Sequence, residues 1–241
     1  MNAPSLYSHL LAAYLLIAIP VMGFFRHRRA KERMQAGDAL AKVRFLRELV
    51  ARQAINICLV CGLWLFGGVP GWKLGVCAPP SWWLTGGLTA AAAIFLVVWG
   101  LRLRARSGEI RKRLDERAGA LIPDSVAERR WFATVCIGGG VFEELAYRGF
   151  LFYYLGLVFP AINGVEKAIV TSLLFGAGHI YQGWKGVLST GVAGLIMAFL
   201  YLAGGNLLLP IVAHIAANMR VLLIFPPRAV PERDSGLGNA A

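Results

Sequence analysis

Apolar runs about as long as a hydrocarbon core is thick recur along this chain, near residues 6–25, 53–70, 80–101, 131–158, 164–181, 186–203 and 206–225. Short polar or Gly/Pro-containing breaks separate them. A backbone in lipid has no water to bond, so it must satisfy its own N–H and C=O groups, and a helix does this within one segment. The pattern predicts an all-α fold, a single polytopic helical membrane bundle of about seven transmembrane helices. Composition agrees: 57% of the 241 residues are hydrophobic and only 16% charged, with a mean hydropathy of +0.59. That balance excludes an ordinary soluble domain. The Gly138-Gly139-Gly140 run offers a break inside the fourth span.

The net charge of +12 suggests nucleic acid until it is mapped. Residues 26–52 hold nine Lys/Arg, residues 102–130 hold another nine, and the intervening 71–79 loop holds only Lys73. Basic loops stay in the cytoplasm. The protein is therefore expected to be multi-pass in a cell inner (plasma) membrane, with its N-terminus outside and a cytoplasmic C-terminus carrying Arg228 and Arg233. Its surroundings are the lipid bilayer, and no nucleic-acid partner is expected. Both basic segments place apolar residues at helical spacing, Val43, Leu46 and Leu49 or Val50 in the first, Ile110, Leu114 and Leu121 in the second. This predicts amphipathic helices lying on the anionic inner surface. The first apolar run is expected to be an anchor and not a signal peptide, because the basic cluster follows it and no small-residue cleavage site is evident. Cys58 and Cys61 have C-x-x-C spacing but sit in an apolar span, where Cys serves as a small hydrophobe. Residues 226–241 are expected to form a disordered tail.

Charge inside the spans is the exception that points to function. Adjacent Glu143 and Glu144 followed by Arg148 lie in the fourth span, and ionisable groups at membrane depth normally face a protein interior or a water-filled cavity. Ser125 and Glu128 carry the S-x-x-E capping pattern, so a helix is expected to start just after Ser125 and run through the carboxylates. On it Glu144 and Arg148 are i,i+4 neighbours suited to an ion pair, while Glu143 points about 100° away. His179 ends another span, and His214 and Asn218 share one face of the last. Taken singly, these groups also fit a structural ion pair, an interfacial histidine and interhelical hydrogen bonding. Together they suit amide hydrolysis. A carboxylate in low dielectric can serve as a general base, an imidazole can share the proton work on one water, and a His/Asn pair can donate to an oxyanion. No Ser or Cys nucleophile is required.

The order E-E-x-x-x-R, F-x-x-x-H, H-x-x-x-N, carried by Glu143-Glu144 with Arg148, Phe175 with His179 and His214 with Asn218, resembles the three motifs of the CPBP family (CAAX proteases and bacteriocin-processing enzymes, also called Abi). Its best-known members are the type II CAAX prenyl endopeptidases. The resemblance spans residues 125–225 and implies a catalytic membrane core there, with 1–124 supplying N-terminal spans and basic loops. It implies a glutamic intramembrane endopeptidase in which Glu143 and His179 activate water, His214 and Asn218 form the oxyanion hole, and Glu144 and Arg148 support the first carboxylate. One Glu with two His would be a possible zinc set. The metal-free reading is preferred, since there is no H-E-x-x-H and His214 goes with Asn218, so no cofactor is expected.

The substrate is expected to be a peptide, a leader or a membrane-anchored protein segment cut near the cytoplasmic side; the prenylated CAAX substrate is not carried over. The alternative is a non-catalytic membrane immunity or scaffold protein of the same fold. A proton- or ion-coupled transporter is disfavoured for want of internal repeats. Nothing in the sequence sets the oligomeric state.

Overall fold

The structure, a computed structural model, describes residues 4–66, 68–109 and 122–227. Among these residues there is no strand, and seven long helices form the bundle: α1 Leu6–Gln35, α2 Ala41–Leu65, α3 Trp82–Arg104, α4 over 126–158, α5 Gly164–Gly178, α6 Gly183–Gly204 and α7 Leu208–Ile224. The all-α membrane bundle expected from the apolar periodicity is therefore present. By length and composition four segments can cross a membrane: α1, α2, α3 and Ile180–Gly204, which contains α6. The other three stand outside that count for two reasons. Glu143, Glu144 and Arg148 interrupt the apolar character of α4, while α5 and α7 have only 15 and 17 residues.

Two features depart from the expected pattern. The basic stretch 26–52 is not a separate surface helix, because it forms the end of α1 and the start of α2, joined by a turn at 36–40. Its apolar spacing is helical as read, but Phe45 and Leu46 are buried against the protein and not laid on lipid. The Gly138-Gly139-Gly140 run does not break α4. It is a crossing point: a Cβ on Gly140 would lie 2.6 Å from Ile215 Cγ1 and 3.2 Å from the Ile215 nitrogen, so α7 packs directly on bare backbone. Ile110, Leu114 and Leu121 of the second basic segment, and the tail from 228 on, lie outside the described residues.

The core forms where α1, α2, α4 and α5 meet, around Leu15, Leu63, Phe142, Phe150, Leu151 and Phe175. Within α1 and α4 the helix widens into π-helical turns, Tyr14–Ala18 and Leu145–Leu151, and all seven residues of the second are buried. Such turns often accompany functional sites.

One end of the bundle is held by a polar clasp. Ser125 and Glu128 close a capping box at the start of α4. Lys42 Nζ donates to the Ile122 carbonyl at 2.8 Å and pairs with Asp124 and Glu128, each at 3.1 Å. Arg129 donates to the carbonyls of Leu222 at 2.7 Å and Phe225 at 2.6 Å. These lie at the C-terminus of α7, where carbonyls lack helical partners and the helix dipole favours a cation. Replacing Arg129 with Met is expected to cost about 2–3 kcal/mol, from charged hydrogen bonds worth about 1.5–3 kcal/mol. Thermal unfolding in detergent measures this, and an unchanged melting temperature would mean that the clasp carries no stability.

Candidate active site

Arg148 is wholly enclosed, as is Glu144; their side chains are 0% exposed. An isolated charge there would be prohibitive, and each is compensated. Arg148 Nη1 donates to Glu144 Oε1 at 3.0 Å, the i,i+4 pair expected from spacing. The other terminal nitrogen, Nη2, donates to the Gly194 carbonyl of α6, and the guanidinium carbon lies 5.0 Å from the Phe175 ring centroid. Only glycine fits at 194, since a Cβ would sit 2.9 Å from Phe175 Cδ1 and 3.3 Å from Arg148 Nη2. Arg148 thus ties α4 to α6 across the base of the site.

His214 arrives from α7 because of the Gly140 crossing. Its Nδ1–H donates to Glu144 Oε1 at 2.6 Å, and its Nε2 stands 3.6 Å from Glu143 Oε2. Both ring nitrogens therefore address carboxylates. Glu143 is the looser acid, with 23% of its side chain exposed and no contact closer than that 3.6 Å approach among its ion pairs.

Glu143 lines a cavity of about 240 Å³ together with His179. His179 caps α5, and its Nδ1–H donates to the Phe175 carbonyl at 2.8 Å, which leaves Nε2 as an acceptor. Phe175 therefore anchors two groups at once, Arg148 through its ring and His179 through its carbonyl. Asn218 is half-buried, makes no side-chain hydrogen bond among the described residues and is not in the cavity wall. Neither is His214. α7 holds His214 and Asn218 about one turn apart, with both His214 ring nitrogens directed at the carboxylates.

The opposite wall comes from α1 and α2 and includes polar residues that the motif reading did not use: Tyr14, Arg26, Arg52, Gln53 and Asn56. Asn56 is buried, and its Oδ1 accepts from the Tyr14 hydroxyl at 2.9 Å, so its amide N–H groups remain available. The amides of Gln53 and Asn56 at the head of an apolar run were the signal that could have found it. Among the described residues no group of three or more His, Cys, Asp or Glu is placed to hold a metal ion.

Residues 126–220 match the family described as Type II CAAX prenyl endopeptidase Rce1-like. This is the family that the three motifs resemble. The Rce1-like segment contains α4, α5, α6 and residues 208–220 of α7, and hence all seven motif residues; the cavity wall from α1 and α2 lies outside it. No curated protein and no solved structure matches the chain.

Proposed function

We propose that this protein is an intramembrane endopeptidase that hydrolyses a peptide bond of a peptide or membrane-anchored protein with a water activated by Glu143 and His179. The observation that carries the reading is that these two groups, from different helices of the Rce1-like segment, line one cavity while Glu144, Arg148 and His214 are locked together behind it.

In this reaction Glu143 takes a proton from water as the oxygen adds to the scissile carbonyl. His179 Nε2 relays that proton to the leaving amine as the tetrahedral intermediate collapses and the C–N bond breaks. The tetrahedral oxyanion needs donors, and the amide N–H groups of Asn56 supply them from the cavity wall. His214 acts as a positioning residue, bridging the two carboxylates, and Arg148 neutralises Glu144. Asn218 shares the His214 face of α7. No metal step is assigned. The protein sits in the inner (plasma) membrane with its N-terminus outside and its C-terminus in the cytoplasm, an orientation supported by the nine Lys/Arg in each of the stretches 26–52 and 102–130.

Comparative peptidomics of host membranes tests the proposal with wild type, Glu143→Ala and His179→Ala at matched expression. A fragment formed by wild type, persisting with a metal chelator and absent from both variants, is the expected result. A biological effect that survives both substitutions without any wild-type-specific fragment would replace it with a binding or scaffold role.

A further inference from the structure

A second cavity, of about 210 Å³, lies between α1 and α2 and shares Arg26 and Phe45 with the first. Its rim is Arg26, Arg29, Arg33 and Arg44, and its floor includes the buried Ala30 and Ala41. The positions 26, 29 and 33 follow i, i+3, i+7, one stripe of α1. Small residues on the floor let the helices approach, so the long guanidinium arms surround a concavity. Four guanidiniums face a single carboxylate there, Glu48. Arg44 has Asp38 at 3.1 Å, whereas Arg26, Arg29 and Arg33 make no hydrogen bond or ion pair among the described residues.

We propose that this cavity binds the phosphate of an anionic phospholipid. The guanidinium fork matches phosphate oxygens, and arginines that outnumber the acids beside them repel one another until an anion joins them. Position along the helix favours a lipid over a soluble anion. From Leu6, about 20 residues at roughly 1.5 Å each cross a hydrocarbon core of about 30 Å, so α1 leaves the apolar layer near Phe25 and Arg26. Phe24 and Phe25, 40% and 53% exposed, offer an apolar shelf to acyl chains where the arginine stripe begins. Basic pockets between membrane helices bind lipid head groups in this way. Because Arg26 and Phe45 belong to both cavities, the bound lipid forms part of the wall beside Glu143 and His179. The site uses residues outside the Rce1-like segment and does not rest on the proteolytic reading.

The test reconstitutes the full chain in phosphatidylcholine nanodiscs with or without a minority of phosphatidylglycerol and counts retained lipids by native mass spectrometry. Wild type is expected to retain phosphatidylglycerol selectively. Arg29→Gln with Arg33→Gln should weaken retention about 25-fold, at roughly fivefold per arginine near an anionic surface. Arg29→Lys with Arg33→Lys should lose less, since charge remains without the fork. Arg102→Gln with Arg104→Gln, which removes the same charge from the end of α3, should behave as wild type. Equal losses in the two Gln pairs would reduce the effect to diffuse attraction and overturn the site. So would equal retention of both lipids, binding of inorganic phosphate in place of lipid, or preference for a Glu-rich peptide over phosphatidylglycerol.

Discussion

Replacing Arg148 with Leu is expected to destabilise the protein by about 3–5 kcal/mol, the range for breaking a buried pair while leaving one charge behind. The charge left is Glu144, wholly buried and also bonded to His214. Arg148→Lys should cost less, about 1–3 kcal/mol, because a cation remains but cannot reach Glu144 and the Gly194 carbonyl together while covering the Phe175 ring. Changing both partners, Glu144→Leu with Arg148→Leu, should recover much of the stability, since no unpaired ion is left. It should not recover cleavage, because His214 loses the carboxylate that orients it. Thermal unfolding in detergent, read beside the fragment assay, separates the two roles. Equal melting temperatures for the Leu and Lys variants would mean that the ion pair contributes no stability.

Gly140→Ala is expected to lower cleavage about 100-fold, the cost of roughly 1 Å of misplacement at a catalytic constellation. The added Cβ would meet both the Ile215 side chain and its backbone nitrogen, so α7 must shift and carry His214 from the carboxylates. Overpacking of this kind also costs about 1–3 kcal/mol. Ile215→Ala in the same chain removes the 2.6 Å contact and should restore part of the activity. Gly86→Ala, where nothing lies within 4 Å of the new carbon, should be neutral or slightly stabilising. If the Gly140 and Gly86 variants cleave equally well, the close crossing does not position the site.

The sequence by itself determined what depends on one helix at a time. Apolar runs predicted the all-α membrane bundle, the S-x-x-E pattern located the start of α4, and i,i+4 spacing paired Glu144 with Arg148. Spacing also put His214 and Asn218 on one face of α7, and helical periodicity from Val43 to Val50 identified that part of the basic stretch as helix. What that stretch packs against was not legible, because the same period suits a lipid surface and a protein core. Only the tertiary structure decided that Phe45 and Leu46 are buried inside the bundle, that His214 and not Asn218 meets the carboxylates, and that Asn56 and Arg52 complete the cavity. These outcomes are set by where helices cross, and crossings depend on absent side chains such as those of Gly140 and Gly194. A glycine run read along one chain suggests a break; only the helix lying across it shows that it is a contact.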